Sequence, residues 1–335
     1  MIEEGYGTVV PPFYGKNGGG AWRTTLWLAC RTLKWLTMKT TQRTVILMSV
    51  ALAAQPQVVR PRMPEDVTIF AVRHQAQALE IDPIVIVHYG ADQRFTTIPS
   101  LNPPLGSEDA TVTDLRRLGK IYKAGSHFSV FRGGERLGHA VVRSSNIEGG
   151  DGDCVDLSAA ISYDSTPPPL LATNTGPEIP GHVSQRRPAT SAERAVVVEL
   201  ARQWLSDYGL DKQLLQQGTL GATISTELRK DGVRAIIGRF DVTSKYAIHR
   251  LFAIAEQDGK QYHLTLANLE IQHDVEDGTD KAEREYLDQL DINNDGVDEV
   301  VSSVSYYESW AYTIWRFDVK HGGWHKSYTG GGGGC

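Results

Sequence analysis

Between Thr190 and Gly209, apolar and polar positions alternate with a helical period. Val197, Leu200, Ala201, Trp204, Leu205 and Tyr208 recur three and four residues apart, which puts them on one face of a helix. Thr190 and Glu193 have the spacing of a capping box, in which each side chain satisfies a free backbone N–H of the first turn. Gly209 is placed to end the helix, because glycine enters the left-handed conformation without a Cβ clash. The apolar stripe reads as core.

Elsewhere the period is that of strands. Pro83 to Val87, two runs around Gly133-Gly134 within Phe128 to Arg143, and Cys154 to Tyr163 are short and rich in β-branched or aromatic residues. Beyond the helix come Val233 to Val242, Tyr246 to Glu256 and Gln261 to Ile271, with turns at Asp231-Gly232 and Asp258-Gly259. Tyr286 to Leu290, Val300 to Tyr306, Ala311 to Val319 and Trp324 to Tyr328 follow, the last pair joined at Gly322-Gly323. The fold class this implies is mainly β with one clear helix. A small N-terminal β-sandwich or barrel-like domain (64–163) precedes a C-terminal helix plus antiparallel β-meander domain, α+β in kind (190–335). Prolines 167, 168, 169, 177, 180 and 188 mark 164–189 as a linker.

Met38-Lys39-Thr40-Thr41-Gln42-Arg43 and the apolar run Val45 to Ala54 have the order of a signal peptide over 38–54, with Ala51 and Ala53 at the small-residue positions. That run is shorter than the about 20 residues a membrane span needs, so no transmembrane anchor is expected and the protein reads as secreted or periplasmic. Residues 1–37 then read as a non-native upstream extension, with Met38 the true start. Leu28-Ala29-Cys30 only partly matches a lipoprotein box, since Trp27 stands where leucine is usual.

Over 335 residues the chain is 41% hydrophobic and 22% charged, with net charge −6, a balance that gives no general attraction to nucleic acid. In an oxidising compartment Cys154 and Cys335 either pair or stay as free thiols; Gly330 to Gly334 read as a flexible tether that makes pairing sterically easy.

One segment carries chemistry. Asp291-Ile292-Asn293-Asn294-Asp295-Gly296-Val297-Asp298-Glu299 puts oxygen side chains at the first, third, fifth and ninth positions of a tight loop. Calcium takes six to eight hard oxygen ligands, and alternate positions of a turn converge on one point. Gly296 permits the bend, so the expected ligands of Ca2+ are Asp291, Asn293, Asp295, the carbonyl of Val297, and Glu299. An EF-hand would need a glutamate where Ser302 stands and helices on both sides. From Glu276 to Glu299 ten carboxylates face two basic residues, a density that a bound cation would relieve.

The loop with its flanking strands resembles the calcium loops of FG-GAP and VCBS-type repeats, whose pattern is Asp-x-Asn/Asp-x-Asp-Gly-x-x-Asp/Glu before a short apolar strand. The resemblance covers Glu285 to Tyr328, once. A single copy does not close the β-propeller that several copies build. Together with Glu308, Trp310, Tyr312 and the Gly322-Gly323-Trp324 turn, the region also resembles secreted bacterial proteins.

Two functional readings stand. In the first, calcium rigidifies a non-catalytic extracytoplasmic module that binds a protein or carbohydrate ligand. The aromatic cluster of Tyr306, Tyr307, Trp310, Tyr312 and Trp315 is then either core or a groove in which Glu308, Trp310 and Tyr312 face the ligand. In the second, the protein is an exported hydrolase, glycosidase-like for example, with an unlocated carboxylate site; Asp288 and Glu308 are one pair that would serve, though no spacing rule selects them. No Gly-x-Ser-x-Gly elbow, zinc helix or phosphate loop is found, which favours the non-catalytic reading. His321 and His325 bracket a turn and make a poor metal site alone.

Overall fold

The computed structural model describes residues 66–75, 78–88, 94–96, 119–146, 157–174, 179, 181–273, 282–306 and 309–334. Residues 1–37, the segment 38–54, Cys30, Cys154, Glu308 and Cys335 lie outside them, and with them the leader and disulfide readings.

The first sheet contains β1 (Asp66–Gln75), β2 (Ala78–His88), β3 (Arg94–Thr96), β4 (His127–Arg132), β5 (Glu135–Asn146), β6 (Ser158–Ser162) and β7 (Leu171–Thr173). Its order β1-β7-β4-β5-β6-β2, with β2 paired back onto β1, closes a six-stranded antiparallel barrel, and β3 adds to β2. Alternation along the strands sorts the side chains: Phe70, Val72, Phe128, Val130 and Val142 fill the barrel, while Ile69, Ala71, Val85 and Val87 join a second core outside it. Pro83 is tolerated within β2 because the register shifts opposite it, between Ile69 and Phe70. The stretch read as a linker supplies β7, whose three residues are buried between β1 and β4. Flanking prolines mask so short a strand in the sequence.

The second sheet runs β12-β11-β10-β9-β8, from β8 (Arg187–Pro188), β9 (Thr219–Glu227), β10 (Arg234–Thr243), β11 (Ala247–Asp258) and β12 (Gln261–His273). On one face lies α1 (Ser191–Tyr208), which buries Val197, Ala201 and Leu205 against Ile236, Val242 and Leu251; the short α2 (Lys212–Gln216) follows. The expected capping box is present: Glu193 N donates to Thr190 Oγ1 at 3.3 Å and Thr190 N to Glu193 Oε2 at 2.8 Å. Gly209 closes the helix at φ 112°.

Glu193 does more than cap. Arg187 grips both its oxygens at 2.7 and 2.8 Å and Ser225 Oγ donates at 3.0 Å, tying the helix start to β8 and β9. The Arg187 guanidinium, with these further bonds, holds the Glu193 carboxyl at about 2, below its ordinary 4.5. A depressed acid contributes stability that is complete above its unfolded pKa and disappears as pH falls through the folded one. We expect Glu193→Gln to cost about 1–3 kcal/mol at pH 7, trimmed by the exposure of Arg187, with the difference from the parent vanishing as pH drops from 4.5 toward 2. Urea unfolding across that range checks it, and a loss independent of pH would contradict it.

The third sheet is the meander β13 (Glu283–Leu290), β14 (Glu299–Ser305), β15 (Ser309–Asp318) and β16 (Gly323–Gly334), each strand antiparallel to the next. It is covered on both faces. Val301, Tyr312, Ile314 and Tyr328 meet the outer barrel core, while Val300, Trp315 and Trp324 pack on Ile237, Phe252 and Ile254 of the second sheet. Burial on both faces explains why Glu299–Val304 is almost continuously buried rather than alternating.

The glycines read as a flexible tether instead continue β16. At Gly331 a Cβ would stand 2.7 Å from Pro83 O and Ile84 Cα, so glycine lets the strand approach the barrel backbone, and Tyr328 Oη donates to Ile84 O nearby at 3.0 Å.

A candidate metal-binding loop and its polar surroundings

The strands β13 and β14 pair to Leu290 and Glu299, leaving 291–298 as a closed acidic loop. Asn294 at φ 57° and Gly296 at φ 92° supply the two left-handed steps that turn it. Asp291 organises the interior: its Oδ1 accepts from Asp295 N at 3.0 Å and its Oδ2 from Gly296 N at 3.1 Å. Asn293 Oδ1 shares the Asp295 amide at 2.9 Å, and Asp295 Oδ1 accepts from Val297 N at 2.8 Å. Thus Asp291, Asn293 and Asp295 are gathered about one turn, as the alternate spacing predicts.

Glu299 is turned elsewhere. Its Oε2 accepts from Ile292 N at 2.8 Å and its Oε1 from Arg316 Nε at 3.0 Å. Among the described residues no three His, Cys, Asp or Glu side chains form a group that could hold a metal ion. The side chains gathered at the turn are two carboxylates and one amide, fewer than the six to eight oxygens calcium takes, and they are already engaged by backbone N–H groups of the loop.

The loop is sewn to the other two sheets. Lys230 N donates to Gly296 O at 3.0 Å and Asp298 N to Leu228 O at 2.8 Å, around a bridge between Arg229 and Val297. Lys230 Nζ reaches Asp291 Oδ2 at 3.1 Å. On the other side Asp298 Oδ2 accepts from Gln289 Nε2 at 2.7 Å and lies 3.4 Å from His182 Nε2, which packs beside Gly134 of the barrel.

Asp291, Asp298 and Glu299 are each at most 2% exposed. Burial raises Asp298 to about 8, with Asp291 and Glu299 adding to the rise while the Gln289 bond opposes it; burial likewise raises Glu299 to about 7 against the pull of Arg316. Burial lowers His182, so this imidazole stays neutral at neutral pH.

Beside the loop, the Gly133-Gly134 turn of the barrel docks on β13. Gly133 N donates to both oxygens of Asp288 at 2.9 Å, and Arg186 Nη1 donates to Asp288 Oδ1 at 2.9 Å and to Leu287 O at 3.1 Å. The Arg186 guanidinium also lies over the Tyr286 ring at 4.7 Å. Fully buried, Asp288 is pushed up to about 6 by loss of solvent, with Arg186 and Gly133 holding it from rising further. Asp288 is thus enclosed by Gly133, Arg186 and Tyr286 with no exposed surface.

Trp310 and Tyr312 turn toward the outer face of the barrel. Trp310 Nε1 and Tyr312 Oη donate to Asp82 Oδ2 at 2.6 and 2.7 Å, Tyr312 is 2% exposed, and Arg73 lies 4.4 Å over the Trp310 ring. Tyr312 and Trp315 are buried and Trp310 is half-buried, whereas Tyr306 is exposed and Tyr307 and Glu308 lie outside the described residues. His321 bonds Asp318 at 2.5 Å on an exposed turn, which leaves the ordinary turn reading in place.

Sequence reasoning passed over Asp82, Arg186, His182 and Lys230. Only Asp82 left a signal, a single carboxylate in the apolar run around Ile81 and Ile84. Comparison with protein-family models, with curated proteins and with solved structures finds no match for the chain.

Proposed function

We propose that this is a non-catalytic extracytoplasmic protein whose 291–299 loop binds calcium weakly and stiffens the joint between its three sheets. The observation that carries the reading is the loop itself, with Asp291, Asn293 and Asp295 gathered about two left-handed residues and Asp298 and Glu299 buried beside them. A divalent cation would add positive charge to that of Lys230, which pairs with Asp291, and Arg316, which pairs with Glu299. Asp291, Asn293, Asp295 and the Val297 carbonyl would hold it, with Glu299 as the further carboxylate.

The resemblance to an FG-GAP or VCBS-type calcium loop supports the choice of ion, and the leader-like sequence over 38–54 supports a calcium-rich compartment. Few protein ligands imply an affinity of the order of 10⁻⁴–10⁻³ M, the range of extracellular modules. Because the loop is bonded to 228–230 and reaches His182 through Asp298, its rigidity is felt in both neighbouring sheets. The partner served by the stiffened body is a protein or carbohydrate. No helix among the described residues is long and apolar enough to cross a membrane.

Equilibrium dialysis with radioactive calcium tests the reading. The parent protein is expected to take up about one ion with a Kd of about 0.1–1 mM, and Asp295→Ala to lose that uptake. Equal uptake by the two proteins, or none by the parent, would refute it.

A further inference from the structure

We propose that the outer wall of the barrel along β4 and β5 binds an acidic carbohydrate through a stripe of cationic and imidazole side chains, from Lys123 and Arg143 through His127 and His139 to Arg136. The proposal names a ligand class for the binding reading above and rests on its extracytoplasmic placement; it needs no bound ion. Alternation along the two strands makes the stripe. Phe128, Val130, Ala140 and Val142 fill the barrel, which turns His127 and Ser129 on β4 and His139 and Val141 on β5 to the outer wall. His127 lies opposite Val141 and His139 opposite Ser129, and the two imidazoles meet edge-on with centroids 6.5 Å apart. Arg136 Nη2 donates to His139 Nε2 at 3.3 Å and to Ser129 Oγ at 3.2 Å, which carries the stripe along the wall. At the other end Gly125 N donates to Val142 O at 3.0 Å, which brings the turn carrying Lys123 to the stretch of β5 that carries Arg143.

The charge is local. From 119 to 146 the chain has five lysine or arginine residues and one carboxylate, Glu135, whereas the whole protein has 34 basic residues against 40 acidic. Glu135 is engaged elsewhere, accepting from Ser184 N at 3.1 Å. Lys123, His127, His139 and Arg143 are exposed, and among the described residues Lys123 and Arg143 enter no ion pair. A positive strip on an acidic protein draws an anion to that strip and not to the surface at large. From Arg143 to Arg136 it spans roughly 20 Å at about 3.3 Å per residue, the reach of a short chain rather than of a single ion. Guanidinium groups take carboxylate or sulfate oxygens two at a time, and exposed imidazoles bond sugar hydroxyls. Single-stranded nucleic acid needs aromatic platforms for its bases, and a membrane surface needs exposed apolar anchors. The exposed large hydrophobic side chains among the described residues, Val183, Tyr208, Tyr246, Tyr306 and Val319, all lie on other elements, so the stripe offers neither. An acidic carbohydrate is the polyanion that fits.

Fluorescence anisotropy with labelled oligogalacturonate and labelled chondroitin sulfate, in chelator, tests the inference. The proteins compared are the parent, the Lys123→Gln, Arg143→Gln double variant, and a Lys260→Gln, Lys320→Gln control that removes two exposed lysines from turns of the other sheets. The parent is expected to bind at least one acidic probe and no neutral maltodextrin. The first variant should bind that probe about three- to tenfold more weakly and the control as the parent does, with the difference shrinking as salt is raised. All four substituted side chains are exposed, so the three proteins should melt alike. Equal weakening in both variants, or in neither, would show a general charge effect and overturn the site. Binding of anionic vesicles or of a single-stranded oligonucleotide in place of both sugars would overturn the ligand class. A parent that binds neither sugar refutes the proposal and leaves the calcium reading to its own dialysis experiment.

Discussion

Asp82→Ala is expected to destabilise the protein by about 3–5 kcal/mol, the range for breaking a buried charged network from one side. Asp82 is fully buried on β2 and receives the Trp310 indole N–H and the Tyr312 hydroxyl of β15, with Arg73 Nε at 3.7 Å. Removing the carboxylate strands two donors and takes from Arg73 one of the two acids it pairs with, the other being Glu80 at 3.6 Å. Asp82→Asn keeps an acceptor and gives up the charge, so it should cost less. Single Trp310→Phe and Tyr312→Phe changes each remove one donor and should cost about 0.5–2 kcal/mol. Urea midpoints order the four variants; a loss under 1 kcal/mol for Asp82→Ala would mean that this junction does not hold the barrel to the meander.

Arg186→Met should be as damaging at pH 8, again by about 3–5 kcal/mol, because it leaves the enclosed Asp288 charge without its guanidinium. The loss should depend on pH in a definite direction. Asp288 already ionises at about 6 in the folded protein, against an ordinary 3.8, and removing Arg186 takes away the largest influence holding it down. With its folded pKa above the unfolded one, the native state binds more protons in the window above pH 3.8, so native stability rises as pH falls there. The variant is therefore expected to regain part of its loss between pH 8 and pH 5. Were the loss unchanged over that interval, the electrostatic account of Asp288 would be wrong and only the packing of Arg186 on Tyr286 would remain.

These two residues also show where the sequence stops being legible. The helix from Thr190 to Gly209 could be read because its signals are local: a cap, a stripe and a stop within one segment. The meander could be read because its turns are marked by glycine and its strands follow one another. Barrel closure could not, since β7 joins β1 to β4 with only three residues and its partners lie far away in the chain. Asp82 meets Tyr312 across 230 positions and Arg186 meets Asp288 across 102, separations that no periodicity encodes.

At the loop, the Asp291-x-Asn293-x-Asp295-Gly296 spacing was enough to foresee the turn and the gathering of three side chains. It did not foresee that Arg316, on β15, claims Glu299, or that Lys230 reaches Asp291 from another sheet. Asp298, between two expected ligands, is committed to Gln289 and His182, so the loop's second buried carboxylate faces the barrel side rather than the turn. Local spacing reports how a loop folds. Which charges face it is decided by tertiary packing.

The most direct test of the calcium loop as a structural joint is thermal unfolding of the parent protein and of the Asp291→Ala, Asp295→Ala double variant, in chelator and in 10 mM calcium. With a Kd of about 0.1–1 mM, mass action should stabilise the parent by about 1.5–3 kcal/mol and raise its Tm by roughly 3–8 °C, and leave the variant unmoved. An equal shift in both proteins, or no shift in the parent, would show that the loop is an acidic turn bonded into the fold by its own hydrogen bonds, with no calcium role.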